Sequence, residues 1–216
     1  MEGELLVRWQ DLTTFLTDSN RVKWWNNLMD AYRPRPFRGV DHLHQMLAFF
    51  DKYKDCLKDR YATAFVVFFK NIVYDPQSED SATKSAQMLR QFAQETTFDS
   101  ENYVADLIVA SGSATTDAHL TEGATGSDDL HYVIDFDMAF LADPAKKFSE
   151  HELAQRKEYP NLGDEEYAKQ RLKMLKLFLQ IPNIYATKEM REELEQRART
   201  NIQHEIQMLE KGERKY

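Results

Sequence analysis

Apolar residues recur at three- and four-residue steps through most of this chain, the period of one face of an α-helix. Leu5, Trp9, Leu12 and Leu16 set that period over residues 5–17. Val22, Trp25, Leu28, Met29 and Tyr32 continue it in a second helix, with Ser19 or Asn20 as its cap. Arg33-Pro34-Arg35-Pro36 ends that helix, because prolines lack the backbone donor and clash with the preceding turn. Leu43, Met46, Leu47, Phe50 and Tyr53 predict a third helix over 40–56. Residues 59–74 contain Phe65-Val66-Val67-Phe68-Phe69, apolar on every side, which predicts a buried central helix. A strand is the alternative for so short a run, and the helical neighbours favour helix.

Beyond Pro76, helices are predicted over 79–95 and 100–111. Residues 111–129 hold Gly112, Gly123 and Gly126 among seven Ser or Thr, and read as one long loop that offers a candidate surface. A helix follows over 130–142. Pro144 opens another, which Tyr159-Pro160-Asn161 closes. Asp164 is placed to cap a helix carrying Leu172, Leu175, Phe178 and Leu179 inward, ended by Pro182. The last helix, 188–210, shows Met190, Leu194, Ala198, Ile202, Ile206 and Leu209 on one face. The class is all-α, read as one domain over 1–216.

Composition agrees. Aromatic residues at 12% and hydrophobic residues at 42% suffice for a core, whereas 7 glycines and 6 prolines in 216 residues are too few for a turn-rich sandwich or barrel. A net charge of -8 opposes nucleic-acid phosphate, so no nucleic-acid partner is expected. No apolar run is long enough to span a bilayer, so no membrane insertion is expected. The acidic start, Met-Glu-Gly-Glu, does not read as a signal. The lone Cys56 has no intrachain partner and reads as a small buried hydrophobe. The expected setting is intracellular and reducing, cytoplasmic by default, with an organelle matrix open if an import sequence was removed.

Motif chemistry is sparse. His42 and His44, two apart, point to different sides of a helix and cannot chelate one metal as an i, i+4 pair would. Asp135 and Asp137 form a D-x-D pair near Asp128 and Asp129, an oxygen-rich set that could hold a divalent cation, though such strings are common and acidic side chains also cap helices. Phosphate-binding glycine loops, nucleophile elbows and zinc-spaced cysteines are lacking.

Four segments carry a resemblance. Arg35-Pro36-Phe37-Arg38-Gly39-Val40-Asp41-His42-Leu43 resembles the "R-H-Y-H-N-L-x-H-I" run of predicted metal-dependent HD-superfamily phosphohydrolases. Phe68-Phe69-Lys70-Asn71-Ile72-Val73-Tyr74-Asp75-Pro76 is similar to "W-F-H-D-A-V-Y-D-P". Asp80 through Ser85-Ala86 falls where that family has "D-N-E-x-x-S-A", and Val133 through Leu141 resembles "F-L-D-A-D-L-x-I-L". Trp25, Tyr32, Tyr167, Arg171, Ile184-Tyr185-Ala186-Thr187 and Ala198-Arg199-Thr200-Asn201 keep the family order, so the resemblance runs along nearly the whole chain. It implies an HD-like bundle with its site among the third, fourth and sixth or seventh helices.

The same resemblance implies that the metal site is mostly lost. The first ligand His falls on Arg38, the His-Asp doublet on Lys70 and Asn71, and the Glu of "D-N-E" on Ala82. A further polar His falls near Ser113 or Ala114. Asp135 is retained as the last ligand, and His42 as a residue lining the site. Arg and Lys offer no lone pair and carry positive charge, and without metal activation water keeps a pKa near 16. Lys70, Arg38 or both are therefore expected to pair with Asp135 where the metal would sit.

The expected function is a catalytically inactive HD-like protein without metal cofactor, acting as a structural or protein-interaction module, as in a subunit of a larger assembly. One alternative is a sensor that binds phosphate or a nucleotide through Arg38, His42 and Lys70. Another is a divergent hydrolase with ligands relocated to Asp117, His119, Asp128, Asp129 and His131. Trp24, about 100° round the helix from Trp25, is the expected exposed interface aromatic.

Overall fold

Phe65–Phe69 is helical and lies at the centre of the molecule. The computed structural model describes residues 1–216 and contains no strand, only an isolated parallel bridge between Gly126 and Thr187. Eleven α-helices follow in chain order: α1 (Glu2–Leu12), α2 (Asp18–Tyr32), α3 (Val40–Tyr53), α4 (Arg60–Phe69), α5 (Ser81–Gln94), α6 (Glu101–Ala110), α7 (Asp117–Leu120), α8 (Asp129–Met138), α9 (Ala145–Lys157), α10 (Asp164–Gln180) and α11 (Lys188–Glu210). Short 3₁₀ turns extend α3 and α8 at Lys54–Cys56 and Ala139–Ala142. No helix is long and apolar enough to cross a membrane.

Every residue of α4 from Ala62 to Phe69 is buried, as an all-round apolar helix requires. Aromatic rings surround it. Trp9 packs on Phe68 with ring centres 5.4 Å apart, Phe65 on Phe98 at 4.5 Å and Phe69 on Phe92 at 5.2 Å. Such pairs each add about 0.5–1.5 kcal/mol beyond the area they bury. One contiguous apolar cluster runs from Leu5 to Ile206.

Helix ends depart from the pattern where local hydrogen bonds decide. α1 stops at Leu12, and the Thr13 hydroxyl turns back to donate to the Trp9 carbonyl at 2.5 Å. Thr17, rather than Ser19 or Asn20, caps α2 by accepting the Asn20 N–H. Gly163, not Asp164, takes the cap position of α10. The long loop is interrupted by α7, so 111–129 is shorter in irregular structure than its composition implies.

Two expectations are corrected. Trp24 is fully buried rather than exposed. α2 is covered on two sides, and Trp24 meets Phe92 of α5 edge-on at 5.4 Å and Phe69 of α4 at 5.9 Å. Its indole N–H donates to Glu95 Oε2 at 3.0 Å, which removes the cost of burying that donor. Cys56 is exposed rather than buried, because it falls on the 3₁₀ turn that leads the chain off the apolar face of α3.

α3 packs against both α4 and α8, and α4 against α6 and α8, which brings the ends of α4 and α8 beneath the start of α3. Removing a large buried aromatic leaves a cavity, so Trp24→Ala is expected to cost about 3–5 kcal/mol in urea unfolding. Val22→Ala, at a side chain 59% exposed on the same helix, is expected to stay within about 0.5 kcal/mol of the parent.

Candidate functional site

Arg38 is placed by the turn between α2 and α3. The Arg33–Pro36 segment cannot stay helical, and its backbone donors are caught from outside. Glu158, just past α9, accepts the Phe37 and Arg38 N–H groups on one carboxylate oxygen, each at 2.9 Å. Gly39 opens α3 where a Cβ would lie 2.3 Å from the Arg35 carbonyl oxygen, so no larger residue fits this approach. Arg35 donates to the carbonyls of Asn71 and Ile72, fastening the turn to the end of α4. One turn into α3, His42 points the same way as Arg38.

Lys70 and Asn71 sit where α4 ends. Lys70 is buried, and its ammonium donates to the Ser111 carbonyl at 2.8 Å. The third component comes from α8 and is Asp137. Arg38 Nη1 donates to Asp137 Oδ1, His42 Nε2 donates to the same oxygen at 2.7 Å, and Asn71 Nδ2 lies 3.3 Å from it. Lys70 Nζ stands 3.5 Å from Oδ2. Arg38 from one segment and the neighbours Lys70 and Asn71 from another thus meet on one carboxylate.

That carboxylate is Asp137, not Asp135, which corrects the expected pairing. Two residues on a helix are about 200° apart, so the two aspartates leave α8 on opposite sides. Because α8 is covered nearly all round, both find interior partners. Asp135 accepts the Ala186 and Thr187 N–H groups at 2.9 and 2.8 Å and the Thr187 hydroxyl at 2.7 Å. It thereby holds the free donors at the start of α11. The D-x-D spacing was the signal that both could not face one site.

Charge around Asp137 follows from these contacts. Burial would raise its carboxyl, but the Arg38 guanidinium and then the Lys70 ammonium outweigh burial and hold it well below the usual carboxylate range. Burial lowers the His42 imidazole, with Arg38 adding to that and Asp137 opposing it. Burial also lowers the Lys70 ammonium, against the pull of Asp137. With His42 neutral, two cations face one anion. A divalent metal does not fit this set, since a guanidinium and an ammonium occupy the space beside the sole carboxylate. Nowhere do three His, Cys, Asp or Glu side chains gather in a way that could hold a metal ion.

The relocated candidates serve the scaffold. Asp129 is buried, accepts the N–H groups of Lys58 and Asp59 at 2.7 and 2.9 Å, and receives the Tyr103 hydroxyl at 3.0 Å. Asp128 and His131 form a reciprocal cap at the start of α8, with His131 Nδ1 accepting the Asp128 N–H. His119 Nδ1 accepts the Thr116 N–H at 2.9 Å, and its Nε2 lies 3.6 Å from Asp135. Asp117 is exposed in the first turn of α7. These five residues do not converge.

Arg38, Lys70, Asn71 and Asp137 form the floor of a cavity of about 510 Å³. Tyr74 and Gln155, which sequence reasoning missed, also line it. The Tyr74 ring centre lies 5.3 Å from the Arg38 guanidinium, and burial pushes its hydroxyl up to about 12. Arg38 Nε and Gln155 Oε1 are buried there without a partner. Ala82 and Ala114 add apolar wall where the resemblance implied polar groups, while Ser113 is exposed. No protein-family model, curated protein or solved structure matches this chain.

Asp137→Asn is expected to cost about 3–5 kcal/mol in denaturant unfolding, because it leaves two buried cations uncompensated. His42 gives a second expectation. It binds a proton less readily folded than unfolded, so below its unfolded value of about 6.5 the unfolded chain takes up more protons and acid favours unfolding. Stability is expected to be flat just above neutrality and to fall as pH drops below about 6.5. His42→Gln is expected to flatten the first part of that fall, read from unfolding midpoints across the range.

Proposed function

We propose that this chain is a catalytically inactive HD-like helical protein that binds a small phosphate-type anion in the cavity floored by Arg38 and Lys70. One observation carries the reading. The three positions that the sequence resemblance assigns to lost metal ligands close on a single carboxylate, with cations where a metal would need lone pairs. Arg38 and the adjacent pair Lys70-Asn71 lie far apart in the chain, and their meeting on one carboxylate supports the resemblance, while that carboxylate is Asp137 rather than the Asp135 it marked. The four-residue set favours an anion for a simple reason. Asp137 neutralises only one of the two cations, and Arg38 Nε is left without a partner beside the cavity. Charge-assisted donors of this kind are the usual recognition elements for phosphate and carboxylate groups.

Hydrolysis is disfavoured by the same residues. Attack on a phosphoester needs an activated water, and the family's means of activation is a metal-bound hydroxide. Asp137 is committed to four donors, and His42 donates to Asp137 rather than to a solvent-facing group. Neither is poised as a general base.

A second reading, a structural or protein-interaction module within a larger assembly, draws support from α10. Leu177 lies 53% exposed in a shallow groove with Lys169, Lys173 and Lys176. Exposed apolar surface among charges is a feature of interfaces. Trp24, being interior, gives this reading nothing.

Calorimetric titration with inorganic phosphate, together with metal analysis of the purified protein, separates these readings. Saturable phosphate binding with a Kd on the order of 0.1–1 mM is expected, with no stoichiometric metal. An equivalent of tightly held metal that disappears in Asp137→Ala, with phosphatase activity lost alongside it, would overturn the proposal. A stoichiometric protein complex with no phosphate binding would favour the second reading.

A further inference from the structure

The cavity carries opposite charge at its floor and its mouth. At the floor, Arg38 and Lys70 outnumber Asp137 by one positive charge. At the mouth stand Asp75 and Glu79, both exposed, and neither pairs with a cation. The Asp75 carboxylate accepts only the Gln77 N–H, in its own turn, and the Glu79 carboxylate accepts no hydrogen bond. Another part of the lining is apolar, with Val109 and Met174 48% and 42% exposed.

We propose that the cavity selects organic phosphomonoesters, with one phosphate on an apolar body, over di- and polyphosphates. The inference rests on the anion-binding reading above and adds the class of ligand. The single surplus positive charge at the floor offsets part of one phosphate group and leaves nothing to offset a second. Lys70 has a proton to spare beyond Ser111 and Asp137, and Arg38 Nε has no partner. A second or third phosphate would extend toward Asp75 and Glu79, where like charges repel it. An apolar body instead meets Val109, Met174 and the Tyr74 ring, surface that is otherwise left to water. The volume of about 510 Å³ is that of a small-molecule site. No bond is made or broken, and the ligand leaves as it arrived.

Four probes test this at constant ionic strength: inorganic phosphate, phenyl phosphate, pyrophosphate and tripolyphosphate, titrated calorimetrically into the intact protein. Phenyl phosphate is expected to bind tightest and tripolyphosphate about tenfold more weakly or worse. The double variant Asp75→Asn, Glu79→Gln changes only exposed side chains, so folding is retained. It is expected to bring tripolyphosphate to within about threefold of phenyl phosphate. Lys70→Met is expected to abolish binding of all four. Arg38→Lys, which keeps the charge on Asp137, is expected to weaken all four together and covers the case in which Lys70→Met does not fold. Tripolyphosphate binding as tightly as phenyl phosphate in the parent, or an unchanged ratio in the double variant, overturns the selectivity and leaves the anion-binding reading standing. Failure of all four probes to bind the parent overturns both.

Discussion

Asp137 is a carboxylate almost closed off from water, and a charge in that position persists only when other charges and donors replace its hydration. Its partners come from two places, Arg38 and His42 from the turn into α3 and its first turn, and Lys70 and Asn71 from the end of α4, while the aspartate itself belongs to α8. Each partner is in turn fixed from behind. Glu158 holds the backbone of Arg38, and the Ser111 carbonyl holds Lys70. Buried ion clusters of this kind often add little net stability over an apolar replacement of equal volume. Losing one partner, by contrast, strands the charges that remain, so the cluster ties α3, α4 and α8 to one another.

The direction of that charge determines what the cavity above it can do. A site built for a divalent cation gathers lone pairs around open space. Here the space beside the carboxylate is filled by a guanidinium and an ammonium, and the imbalance left over is positive. A protein of net charge -8 therefore presents a small cationic surface at the floor of this cavity. The acids at the mouth confine that surface to short range, since an approaching polyanion meets Asp75 and Glu79 first.

Asp135 shows the opposite use of the same residue type. It is as buried as Asp137 but is neutralised mostly by backbone N–H groups and one hydroxyl at the start of α11. The segment 111–129 is fastened to the same place. Asn183 Nδ2 donates to the Ala118 carbonyl, Gly126 N–H to the Ala186 carbonyl, and His119 lies against Asp135. A stretch rich in glycine and hydroxyl residues is thus held as part of the scaffold. Its polar groups satisfy one another and the α11 cap.

The sequence by itself determined the all-helical class, the burial of Phe65–Phe69 and the span of the last helix, which matches at both ends. Those features follow from apolar periodicity and helix-breaking prolines, which act over a few residues. The family resemblance, rather than periodicity, singled out Arg38, His42, Lys70 and Asn71. Only tertiary structure decided which aspartate they meet, because Asp135 and Asp137 are equivalent as letters and differ only in the side of α8 from which they project. Tertiary packing likewise decided that Trp24 is interior. A helix covered on two sides buries residues 100° apart, and one-dimensional periodicity reports a single face. Tyr74 and Gln155 entered the cavity lining through chain folding alone, since no local spacing links them to Arg38. Local pattern fixes which segments are helical. Which charges share a buried space is set by how those helices pack.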